Sequence, residues 1–159
     1  MSSLLLRIDR VDHRDSAVAE RIHAVQMQAY AQEARLLGAQ DFPPLRVTTV
    51  QLQASEETFI AAFLDDELVG AISTEPDPDG KGTVIASLVV APRAQRQGIA
   101  RRLLAQALAA HRGDRITVQT GAGNVPALHL YARSGFTEIA RWFTGPEPLE
   151  IVQLRHEPR

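Results

Sequence analysis

The chain has 159 residues and a mass of 17.4 kDa, the size of one domain with a real hydrophobic core. With 45% hydrophobic residues, 23% charged ones and a net charge of −2, it has the composition of an ordinary soluble protein without general affinity for nucleic acid. It has no cysteine, which excludes disulfides, thiol nucleophiles and thiolate metal sites, and its five histidines show no metal spacing, so no metal is expected.

Leu4-Leu5-Leu6 is far too short for a signal segment or a membrane span, so a cytoplasmic protein with no membrane partner is expected. Ser3 to Arg10 reads as a first strand, and Val11 to Asp15 as the lead-in to a helix, with Asp12 or His13 near the N-cap. Val18, Ile22, Val25 and Ala29 then form an apolar stripe, and a second helical piece from Gln32 to Leu37 ends at Gly38. Ala39 to Leu45 carries two prolines and reads as a loop, and Val47 to Glu57 is polar and mixed in period, an irregular or short helical segment. Thr58 to Leu64 and Leu68 to Thr74 make a hairpin around Asp65-Asp66-Glu67, followed by a turn cluster from Pro76 to Gly80. The early strands therefore suggest an antiparallel meander.

Thr83 to Ala91 is apolar without alternation, the mark of a strand buried on both faces, and Pro92 ends it. After the loop Arg93 to Gly98, Ile99, Leu103, Ala107 and Ala110 fall at helical spacing, with Arg101, Arg102, Gln106 and Arg112 on the other side and Gly113 as the stop. Arg115 to Thr120 is the next strand. Asn124 is a plausible N-cap, with Pro126 in the first turn of a helix that stops at Ser134-Gly135. Phe136 to Phe143 and Leu149 to Arg155 are the last strands, joined by Gly145 to Pro148, and Trp142 is expected in the core. No repeat or linker interrupts the chain, so residues 1–159 read as a single domain.

Between Lys81 and Gly113 there are six basic residues and no acid, whereas the rest of the chain holds 11 basic and all 19 acidic residues. A helix start has unpaired N–H groups and partial positive charge, and Gly98 lets a bulky anion approach the backbone. The stretch reads as a phosphate site. Neither the P-loop pattern nor the dinucleotide fingerprint is present, which argues against a nucleotide-binding protein of those kinds.

Gln95-Arg96-Gln97-Gly98-Ile99-Ala100 resembles the pyrophosphate loop Gln/Arg-x-x-Gly-x-Gly/Ala of the GNAT superfamily of acyl-CoA-dependent N-acetyltransferases. A second similarity follows from Asn124 through Tyr131 to Gly135-Phe136. The resemblance covers about Phe59 to Arg155 and implies a mixed α/β fold. That fold is a mostly antiparallel sheet of six to seven strands with helices on both faces, whose fourth and fifth strands splay apart around acetyl-CoA. By that resemblance, backbone groups of Leu88, Val89 and Val90 would pair with the pantetheine arm, and an N–H there would stabilise the thioester oxyanion. Backbone amides from Gln97 to Arg101 would hold the pyrophosphate, Asn124 would bond the pantetheine arm, and Tyr131 would face the thioester sulfur. At least one of Arg93, Arg96, Arg101, Arg102 and Arg133 would meet a CoA phosphate.

Amine attack on a thioester expels a thiolate, and a nearby phenol can protonate or hydrogen-bond it. The amine must also lose a proton, yet the central strand lacks the Glu that several family members carry as a base. Either Glu33, Glu75, His23 or Tyr30 serves through water, or the amine is not strongly basic. The resemblance implies a small-molecule or peptide amine as acceptor and allows a homodimer. The helical region before Leu45 and the Gly145 to Pro148 loop are expected to form the acceptor pocket, and the acidic remainder of the chain favours a cationic acceptor. The competing reading is a non-catalytic acyl-CoA sensor on the same fold.

Overall fold

The computed structural model describes residues 5–158. Seven strands form one mixed sheet in the order β1-β2-β3-β4-β5-β7-β6: β1 Leu6–Val11, β2 Thr58–Leu64, β3 Glu67–Pro76, β4 Thr83–Val90, β5 Ile116–Gly121, β6 Thr137–Thr144 and β7 Leu149–His156. The expected meander is present, β1 to β4 pairing antiparallel in chain order. The expected start of the first strand at Ser3 lies outside the described residues.

Four helices cover the sheet: α1 Ser16–Leu37, α2 Thr49–Ala54, α3 Ile99–Ala110 and α4 Val125–Arg133. The two helical pieces expected before Gly38 are one continuous helix of 22 residues. Glutamines 26, 28 and 32 break the apolar pattern of the sequence, but Gln26 is itself buried on the sheet-facing side. The N-cap is Asp15 rather than Asp12 or His13, its carboxylate accepting from Ala17 N at 2.9 Å and Val18 N at 3.2 Å. His13 instead turns inward, bonding the Ser55 carbonyl at 2.7 Å and packing on Phe59. Pro43–Arg46 is a single 3-10 turn where a loop was expected, and the unreadable stretch after it contains α2, held by a capping box between Thr48 and Gln51. Trp142 is not in the core; it stands half-buried on β6, which is the outer strand of the sheet.

The pleat of β3 sorts the core into two layers. Gly70 faces α3, where an added Cβ would crowd Leu103 and Ile99, and Thr74 reaches His111 just beyond that helix. Ser73 faces the other way, its Oγ lying 2.6 Å from Ser87 Oγ. Ile99, Leu103, Leu104 and Ala107 fill one layer, and Ala19, Ile22 and Val25 of α1 bury their stripe in the other. Full burial of one such aliphatic side chain is worth roughly 1.5–3 kcal/mol.

The sheet is nearly divided at its middle. β4 and β5 run parallel and pair at only three positions, Thr83 with Ile116, Val84 with Thr117 and Ile85 with Val118. On the other side of β4 the register slips between the pairs Ser73–Ser87 and Thr74–Ile85, so that Ala86 is an extra, bulged residue. A bulge bends and twists its strand. It falls where β4 leaves β5, and this accounts for the splay. The closed end is fastened by the Thr83 N–H donating to the Arg115 carbonyl at 2.8 Å. Gly82 permits that approach: its φ is +102°, and an added Cβ would lie 2.2 Å from the Arg115 oxygen.

Candidate active site

From Ala86 to Val90, β4 has no strand partner on the β5 side among the described residues, so alternate backbone N–H and C=O groups of Leu88, Val89 and Val90 face the opening. The edge runs directly into the loop before α3. There Arg96 and Gly98 both adopt left-handed backbone, with φ of +64° and +77°. Such alternation turns successive N–H groups to one side as an anion-binding concavity. An arginine held in that conformation costs roughly 1–2 kcal/mol, so the surrounding structure maintains it.

The N–H groups of Gln97, Gly98, Ile99, Ala100 and Arg101 find no acceptor among the described residues, the first paired one being Arg102 N to the Gly98 carbonyl at 3.1 Å. No side chain caps α3 and no acid stands in its first turn. The residues therefore fit a phosphate-bearing group, and a Cβ built on Gly98 meets nothing within 4 Å. Gln95 ties the loop to its neighbours. Its side-chain nitrogen donates to Gln32 Oε1 at 2.6 Å and to the Val90 carbonyl at 3.3 Å, which fastens the loop to α1 and β4.

The expected arginines divide into two groups. Arg93 is paired with Glu67 at 2.7 Å beside an open groove of about 700 Å³ lined also by Arg21, Asp65 and Asp66. Arg96, Arg101, Arg102 and Arg133 are exposed and form no ion pair among the described residues. Asn124 caps α4 through Oδ1, which accepts from Ala127 N at 3.3 Å, and its amide nitrogen has no acceptor among the described residues. The cap thus uses only half of the side chain.

Tyr131 on α4 is 4% exposed and packs edge-on against Phe136 with ring centroids 5.3 Å apart. Its hydroxyl makes no hydrogen bond among the described residues. Burial, with the Glu33 charge adding to it, pushes the phenol well above its usual range, so the proton stays on at neutral pH. Glu33 is raised by burial as well. Tyr30 is pushed up to about 12, chiefly by burial and further by Glu33 and Glu57, against a lowering by Ser87.

Of the other expected bases, His23 Nε2 lies 2.7 Å from the Val47 carbonyl, so it fastens α1 to the following loop. His111 sits between Thr74, Thr83 and Asp114 at the closed end of the sheet. Glu75 is raised by burial and by Glu57 beside it. Sequence reading missed Glu57, which bonds Ser73 at 2.6 Å; the one signal it offers is its place immediately before a strand that pairs with β3.

A strand edge that opens beside its parallel neighbour and leads to an uncapped helix start is an α/β arrangement whose shape and unsatisfied N–H groups would suit an extended ligand with a phosphate end. Residues 21–136 match the Acetyltransferase (GNAT) family, and the chain belongs to that family. It is 36% identical over 131 residues, 81% of the chain, to the UPF0157 protein YqkA of Bacillus subtilis. It is 34% identical over 115 residues, 60% of the chain, to the mycothiol acetyltransferase of Cellulomonas flavigena. The chain spans about a third of the length of these relatives, 37% and 33% respectively. The same fold occurs in the PaiA N-acetyltransferase of Thermoplasma acidophilum, solved with coenzyme A. That structure superposes with a TM-score of 0.74 over 97% of this chain and 99% of that one, at 15% identity.

Proposed function

We infer that this chain is one N-acetyltransferase domain that moves the acetyl group of acetyl-CoA directly to the primary amine of a small molecule or peptide. The observation that carries the reading is the unpaired β4 edge running without a break into the unsatisfied N–H groups of Gln97 to Arg101. The pantetheine arm lies along Leu88 to Val90 as a further strand, with the amide nitrogen of Asn124 beside it. The pyrophosphate rests on the α3 start, and Arg96, Arg101 and Arg133 supply charge for the phosphates. A backbone N–H of the bulged strand stabilises the oxyanion. The relative named as an acetyltransferase and the neighbour solved with coenzyme A support this reading.

Tyr131 donates to the departing thiolate. A phenol so far above its usual range would be a weak acid in water, but the same dry surroundings raise the proton affinity of the thiolate too. Glu33, Glu57 and Glu75, all on the α1 side, favour a cationic acceptor. The cytoplasm, where acetyl-CoA is available, is the compartment that fits.

The test is release of free CoA thiol from acetyl-CoA, followed with a thiol-reactive dye against pooled amines; a chain without cysteine adds no background. Release dependent on one pool is expected. Tyr131→Phe should lower that rate by about 100-fold at unchanged melting temperature, since the lost hydroxyl has no bond to break. CoA binding with no release from any pool would point to a sensor instead.

A further inference from the structure

Val90 is the last residue of β4, and the loop that follows folds back on it. Ala91 N donates to the Val69 carbonyl on the β3 side at 2.8 Å, so Val90, one residue earlier, turns its own carbonyl to the open side. The short turn Pro92–Ala94 then brings Gln95 beside it, and Gln95 Nε2 donates there at 3.3 Å. A carbonyl only accepts, which fixes the Gln95 amide with its nitrogen toward Val90. The second N–H of that nitrogen donates to Gln32 Oε1 at 2.6 Å, and the Gln95 oxygen accepts from Gln32 Nε2 at 3.2 Å. Two side chains 63 residues apart thus close a ring of two hydrogen bonds between α1 and the loop.

We propose that Gln32 is a positioning residue for the pyrophosphate of the cosubstrate: by holding Gln95 it sets the anion-binding turn that begins one residue later. The inference rests on the acetyl-CoA reading of the site. Gln32 acts through Gln95 and does not touch the ligand.

The place of the pair in the chain is what makes it more than a brace. Arg96, the next residue, stands at a φ of +64°, a conformation that persists only where the surroundings hold it. Arg96 and Gln97 make no hydrogen bond among the described residues, and the N–H groups from Gln97 to Arg101 find no acceptor there, so the turn does not hold itself. On its far side Ile99 is buried against Gly70 and anchors it to the sheet. On its near side the Gln95 backbone N–H reaches only Pro92 in the preceding turn, so the Gln95 side chain carries the polar link to the rest of the molecule. Without Gln32 that link is reduced to the longer bond to Val90. Both side chains are neutral, so the loop is fastened without an acid beside the phosphates.

Gln32→Leu keeps helix propensity and bulk and removes the amide. CoA is titrated calorimetrically into wild type, Gln32→Leu, Gln95→Leu and the double variant, with thermal melts to show that each is folded. Each single change should weaken CoA about tenfold, the worth of an ordinary hydrogen bond. The double variant should lose no more than Gln95→Leu alone, because Gln32 acts through Gln95. Pantetheine, which has the arm and no phosphate, should bind wild type and Gln32→Leu equally. Unchanged CoA affinity in Gln32→Leu would make the pair a brace of the fold. A loss of about 100-fold in the double variant would mean that Gln32 acts apart from Gln95, and an equal loss for pantetheine would move its effect to the strand edge. Each of these overturns the proposal. If the expected pattern is found while no amine pool releases CoA thiol, the transferase reading fails and the positioning role stands in a CoA-binding module; a wild type that binds no CoA overturns both.

Discussion

Glu33 stands between two buried tyrosines and raises both of them while being raised by burial itself. In the folded chain this carboxyl holds its proton to a higher pH than in the unfolded chain. Between those two values the native state binds more protons, and stability falls as pH rises through the window. Above the window, ionised Glu33 is a continuing cost. Glu33→Gln should therefore melt above wild type at pH 8, and the two should converge when the pH is brought below the ordinary carboxylate value of about 4.3. Thermal melts across that range decide it, and a variant that melts lower at pH 8 would show that Glu33 makes a contact favourable enough to outweigh its burial.

At the scale of elements, the loop before α3 combines two requirements in one residue. Gly98 must sit at a φ of +77°, and it must leave room for an anion. Gly98→Ala should cost roughly 1–2 kcal/mol of stability through left-handed strain, a drop in melting temperature of about 3–6 °C. It should also weaken CoA binding at least tenfold, because the new methyl group stands where nothing of the protein does. A melting shift without loss of affinity in a calorimetric titration would move the phosphate elsewhere.

This strand, loop and helix could be read from sequence because its determinants are adjacent: an apolar run, a proline, a glycine and an acid-free stretch of arginines. The hairpin and the last two strands were legible for the same reason, each being bounded by its own turn residues. What escaped depends on neighbours distant in the chain. Glu57 meets Ser73 through the β2–β3 register, 16 residues away. The continuity of α1 hides behind glutamines that are buried by the sheet, and the fate of Trp142 follows from β6 lying at the edge, a matter of strand order. The arginines could be placed near the loop, but that Arg93 is occupied by Glu67 required the fold of the hairpin.

The whole molecule is two half-sheets, β1 to β4 and β5 to β7, joined at three residue pairs. Helix α1 lies across the seam. On one side Gln32 holds Gln95, which is tied to the Val90 carbonyl of β4, and at the end of the same helix Leu37 fills the space over Gly121 and Gly123 on the other. Each half should thus open to solvent largely on its own, with amide hydrogen exchange in β5 and β7 distinct from that in β2 and β3. A bound CoA that completes the backbone pairing of β4 would join the halves into one cooperative unit. Saturation at 100 times the dissociation constant adds about 2.7 kcal/mol, and the protection should extend to amides far from the ligand. Leu37→Ala, remote from the thioester, should weaken that coupling and make the two halves exchange separately even with CoA present.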